Sequence, residues 1–165
     1  MEVAQVRKLL PNMRFSASTG GDGVRQVEVW EGPSLIMVLA GDQEMPINNT
    51  TRITHARVFD KRYATKEGVH PGMLLRDVEG IYGKVTSIGL SEPESLEFAD
   101  FARGPAGITF EVSGGFSRIY TQDKEDKLRS FARAHMSIVF GLASTPNRHE
   151  PVSNFSSTIC QISAW

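Results

Sequence analysis

The sequence predicts an α+β fold: a mainly antiparallel sheet with a few short helices, in a single domain over residues 1–165. Two observations carry the class. Short alternating or β-branched runs follow one another across Gly/Pro turns as hairpins, with only a few helices among them, which implies a mainly antiparallel sheet. A few stretches instead place apolar residues at helical spacing. A third observation sets the scale. The chain has 165 residues, 40% hydrophobic and 22% charged, enough to bury one core without metal or disulfide help.

The elements follow in order. Val3, Val6, Leu9 and Leu10 share one helical face, and Pro11 stops the helix. Residues 16–23 (SASTGGDG) read as a turn-rich connection. Residues 24–30 (VRQVEVW) mix polar and β-branched side chains as a half-exposed strand does. Glu31-Gly32-Pro33 marks a turn, and residues 34–40 (SLIMVLA) are apolar enough to be buried on both faces, completing a hairpin. A loop over 41–50 leads to a third strand over 52–60. Leu74, Val78, Ile81 and Tyr82 then form one stripe of a short helix, with Gly83 placed to end it in a left-handed conformation. Residues 85–90 read as a strand, and 95–102 are read as a strand because Leu96 and Phe98 alternate with Glu97. Residues 107–112 (GITFEV) alternate, with Ile108, Phe110 and Val112 on one face. Residues 123–135 look helical, with Asp123 as cap. Residues 136–143 fit either strand or helix, 144–153 are loop, and 158–165 (TICQISAW) form a final strand.

Composition narrows function. Lys+Arg is 18 against Asp+Glu 19, a net charge of −1, without the basic excess a nucleic-acid partner calls for. Cys160 is the sole cysteine, so neither an internal disulfide nor a cysteine-rich zinc site can form. The longest apolar run, 35–40, is far short of a membrane span. The start has no leader pattern, which fits a cytoplasmic chain or one whose leader lies ahead of Met1.

The candidate ligand-binding residues are Asp42, His55 and His70. His55 and His70 flank one loop, and with Asp42 or Asp60 they have the donor types of a metal site. None of the four histidines lies in HExxH, so no metal and no cofactor is expected. Nucleophilic catalysis needs an activated residue beside a base. Gly114-Gly115-Phe116-Ser117 lacks the strand-to-helix elbow, and Cys160 has no adjacent histidine. Glu92, Glu94, Glu97 and Asp100 cluster in sequence, as do Asp123, Glu125 and Asp126, but clustering does not set two carboxylates across a scissile bond. Thr19-Gly20-Gly21-Asp22-Gly23 precedes a strand rather than a helix, which is wrong for a phosphate loop.

Three blocks recur in a family. The first is Val27-Glu28-Val29-Trp30 with 36–43 (IMVLAGDQ). The second is Arg52-Ile53, Asp60, Gly68-Val69, Gly72, Asp77 and Tyr82-Gly83-Lys84. The third is 108–115 (ITFEVSGG) with a terminal strand over 159–165. In these the chain resembles the bacterial lipoproteins controlled by the envelope-stress sigma factor sigma-E, whose domain has no known function. The likeness runs over about 14–115 and the last strand, and 118–148 read as an insertion. It implies a secreted precursor, lipid-anchored through a Cys ahead of this sequence, on the periplasmic side of the envelope. It supplies no catalytic residues.

The expected function is therefore a non-enzymatic binding or structural module of the cell envelope. Its partner would be an envelope protein or small ligand, presented to the loops 41–50 and 61–72. It would meet the membrane only through such an anchor, and would bind no nucleic acid. A small hydrolase using His70 and His55 with nearby carboxylates is the alternative. A third reading makes 136–143 a docking stripe for a partner.

Overall fold

The computed structural model describes residues 1–21, 23–41, 47–91, 96–113 and 135–141. The fold is α+β. Its elements are α1 (Val3–Leu9), β1 (Arg14–Thr19), β2 (Arg25–Glu31), β3 (Ser34–Ala40), β4 (His55–Val58), α2 (Leu75–Tyr82), β5 (Val85–Ser91), β6 (Leu96–Phe101), β7 (Ile108–Ser113) and β8 (His135–Gly141). The strands form one sheet of order β1-β2-β3-β4-β8-β7-β6-β5, antiparallel at every pairing. β8 is central, pairing β4 through Val58↔Ile138 and β7 through Phe110↔Ile138. It lies within 118–148. The expected helix over 123–135 lies outside the described residues except His135, which opens β8, and the expected strand over 158–165 lies wholly outside them.

Direct register partners share a sheet face. Val29, Met37 and Val58 are linked by register, and Val58 and Phe110 both oppose Ile138. The two apolar clusters therefore lie on one face of the sheet. The first joins Val3 and Val6 of α1 to Val27, Val29, Met37, Leu39, Ala56 and Val58, with Tyr63. The second joins Val69, Leu75, Val78 and Tyr82 to Ala99, Phe101 and Phe110. The segment 59–74 spans both, with Tyr63 in one and Val69 in the other.

The 24–40 hairpin forms as β2 and β3. β3 buries Ile36, Met37 and Leu39, but Val38 is only half-buried, so burial on both faces is incomplete. Residues 14–19 are a strand rather than a connection, held to β2 from Arg14↔Trp30 to Thr19↔Arg25. β4 is shorter than 52–60. Arg52 makes an isolated bridge with Glu2, and the Ile53 amide donates to the Met1 carbonyl at 2.9 Å, so this part of the chain anchors α1 instead. On α1, Val3 and Val6 are buried and Leu10 at the C-cap packs against the same core, so of the expected face Leu9 alone is exposed. On α2 the buried stripe is Leu75, Val78 and Tyr82. Leu74 caps the helix and Ile81 lies at the margin of the core, a rotation from the expected 74/78/81/82 face.

Candidate functional site

The segment 59–84 carries the second resembling block from Asp60 onward and is tied down by several side-chain hydrogen bonds. Its glycines set the path. Gly68, Gly72 and Gly83 have φ of 85°, 89° and 81°, a region side chains rarely enter. Gly83 has ψ of −179°, so it ends α2 in an extended, glycine-only conformation rather than the left-handed one expected.

Tyr82 ties this loop to the helix. Its hydroxyl donates to Glu67 Oε2 at 2.8 Å. Its contact of 2.6 Å with Thr65 Oγ1 is then a bond that Thr65 donates. Thr65 Oγ1 in turn accepts from the Val69 amide at 3.2 Å. The backbone closes the same turn, with Thr65 N to Val69 O at 2.7 Å and Gly68 N to Thr65 O at 2.9 Å. The ring packs among Phe101 and Phe110, with centroids at 6.3 and 5.6 Å. Burial, with Glu67 adding to it and Thr65 opposing, pushes the Tyr82 hydroxyl up to about 12. The bond from Tyr82 holds the Glu67 carboxyl below its usual range.

A second knot fastens the loop to the β2–β3 turn. Arg62 bonds Asp60 through Nε at 3.0 Å and Nη2 at 2.9 Å, and Nη2 also pairs with Glu31. Those bonds hold Asp60 below the ordinary carboxylate range and raise Arg62. Burial raises the Tyr63 hydroxyl. In both knots carboxylates move down and phenols up, away from neutrality. General acid–base work wants the opposite, a group poised near the operating pH. These are fastenings of a loop.

Of the sequence candidates, His55 and His70 fall within the described residues. His55 is exposed at the start of β4. The loop bearing His70 leaves from the other end of that strand. His70 is half-buried, with Nδ1 2.9 Å from the Pro71 carbonyl. Asp42, Glu92, Glu94, the 114–117 turn, the acids at 123–126 and Cys160 lie outside the described residues. Asp60 is engaged by Arg62, and Asp100 accepts from Ser87 Oγ at 2.6 Å. Among the described residues no group of three His, Cys, Asp or Glu could hold a metal. Sequence reasoning missed the Thr65–Tyr82–Glu67 cluster, because nothing in sequence spacing shows which polar groups meet across a loop.

Two further sites carry chemistry of position. Glu111, on the face opposite the core, is buried and paired with Arg57 across β8. A Cβ on Gly41 would lie 2.9 Å from the Arg52 carbonyl oxygen and would also collide with the Thr51 side chain. The glycine of the first resembling block thus permits a close crossing of chain over chain.

What fold and site define is an α+β sheet protein with a cross-linked loop-and-helix cap. No protein-family model and no curated protein matches the chain. Among solved structures it is similar to the uncharacterized protein yfeY from Escherichia coli. The TM-score is 0.53 at 22% identity, covering 78% of this chain and 80% of that one. At that identity the likeness shows the fold. Among the described residues no helix is long and apolar enough to cross a membrane.

Proposed function

We propose that this chain is a non-enzymatic binding or structural module of the bacterial cell envelope, related to the sigma-E-regulated lipoproteins it resembles. The observation that carries this reading is what the resembling blocks do. Gly41 allows a backbone crossing, Gly68, Gly72 and Gly83 take positive φ, and Val69 and Tyr82 are core residues. Motif residues used for folding support a scaffold more than a reaction centre. The fold shared with yfeY adds support. The cap residues 59–74, on a rigid sheet, present the surface for an envelope protein or small ligand.

The test is affinity capture with the folded chain from envelope and cytosolic extracts in parallel. A stoichiometric partner from the envelope alone, lost when the exposed cap residues Lys61, Lys66 and Glu67 are substituted together, is the expected result. Partners confined to the cytosolic extract, or turnover of an ester or glycan abolished by His70→Ala, would overturn the reading.

A further inference from the structure

We infer that the outer edge of β1 pairs with β1 of a second copy of this chain, joining two sheets into one across a twofold axis. Among the described residues β1 ends the sheet, pairing with β2 alone. The ladder fixes which of its backbone groups face outward. The Gly20 amide donates to the Val24 carbonyl at 2.8 Å, so residues 20 and 24 are a hydrogen-bonded pair. In the antiparallel alternation Ser18↔Gln26, Ser16↔Glu28 and Arg14↔Trp30 are then bonded pairs too. The N–H and C=O groups of Phe15, Ala17 and Thr19 therefore point away from β2. Among the described residues no backbone hydrogen bond reaches them.

A bare edge is normally blunted by a bulge, a proline or a charge. β5, at the other end of the sheet, has such an irregularity between Val85 and Ser87. β1 has none. Its register with β2 is unbroken, and residues 15–19 (FSAST) carry neither charge nor proline. Its first residue, Arg14, lies back over Trp30 of β2, 5.2 Å from the ring centroid. Ala17 and Thr19 are exposed, so the edge is open. A foreign extended strand would satisfy the same groups. The second copy is favoured because β1 is its own antiparallel complement. Its outward groups, at Phe15, Ala17 and Thr19, are symmetric about Ala17. A twofold axis there, normal to the sheet, keeps the two core faces on the same side. It sets Ala17 against Ala17 and Phe15 against Thr19, three bonded pairs of two hydrogen bonds each. Ser16 falls opposite Ser18 and Arg14 opposite Gly20, so small side chains fill the centre and no like charges meet. The pairing stands whichever compartment the chain occupies.

The experiment is sedimentation velocity of the purified 165-residue chain from micromolar to millimolar concentration, with amide hydrogen exchange at both ends of that range. A short ladder makes a weak interface, so a reversible dimer that dissociates on dilution is expected. The Phe15, Ala17 and Thr19 amides should be protected in the dimer and exchange freely on dilution. The Ser16 and Ser18 amides, bonded to β2, should stay protected at both ends. Ala17→Lys and Ala17→Glu, at an exposed side chain, should each abolish the dimer and melt as the dilute parent does, because the substituted position faces itself. An equal mixture of the two should dimerise again. Ala17→Pro removes an outward N–H and no bond to β2, so it should be folded and monomeric. Thr86→Lys, on the opposite edge, should dimerise as the parent. A parent that is monomeric at millimolar concentration, a dimer that survives Ala17→Lys or Ala17→Pro, a mixture that stays monomeric, or loss through Thr86→Lys instead would overturn the proposal.

Discussion

Removing one oxygen at Tyr82 should loosen the cap without emptying the core. In Tyr82→Phe the ring keeps its packing against Phe101 and Phe110. Two hydrogen bonds are lost, to Glu67 and from Thr65. Glu67 is exposed and regains water, so its share is small. Thr65 is 7% exposed, and its hydroxyl proton is left facing a ring. An unsatisfied buried donor costs about 1–3 kcal/mol, so the expected loss is about 1–2 kcal/mol. For a chain of this size each kcal/mol lowers Tm by roughly 2–4 °C. Urea titration and thermal melting read the loss directly. Thr65→Val removes the same bond from the other side, so the double variant should cost about 1 kcal/mol less than the sum. A stability within about 0.3 kcal/mol of the parent, or strictly additive single variants, would refute the fastening described here. Titration adds a sign. A phenol bound more tightly in the folded state contributes stability that is complete below about pH 10 and is lost as pH rises toward the folded value of about 12. The parent should therefore lose more stability across that window than Tyr82→Phe.

Val78→Ala, at a fully buried position of α2, should cost about 2 kcal/mol, whereas exposed Arg76→Ala should stay within about 0.5 in the same urea titration. Gly41→Ala should destabilise by about 1–3 kcal/mol, because backbone bounds the site on one side. Glu111→Ala breaks the pair of a buried carboxylate with a half-buried Arg57 and should cost about 1–3 kcal/mol. Asp60 and Glu67 have lowered pKa values. Their contribution is present above about pH 4 and disappears as pH falls through the depressed values, which a pH series of melts detects as acid lability.

Much of the sheet was legible because its strands announce themselves by alternation and turn residues. β2, β3, β5, β6 and β7 fall close to where the sequence puts them. β1 was not legible. This edge strand (RFSAST) offers only Phe15 to the core and is otherwise held by backbone pairing with β2, so it carries no apolar pattern. β8 was ambiguous for the opposite reason: a run of apolar residues carries no period that separates strand from helix. On α2 the sequence shows an apolar stripe, but the facing sheet selects Leu75 over Leu74. The histidines stand out in sequence only as residue types; in the structure His55 opens β4 and is exposed. The polar cluster at Tyr82 depends on a loop returning to a helix, information held in tertiary contact alone.

The central claim is that this protein works in the cell envelope, and location tests it most directly. The protein, expressed from its natural gene in a bacterial host, should be digested by protease added to spheroplasts, and should incorporate labelled palmitate. A cytosolic marker should survive the same treatment. Full protection alongside that marker, with no lipid label, would contradict the account.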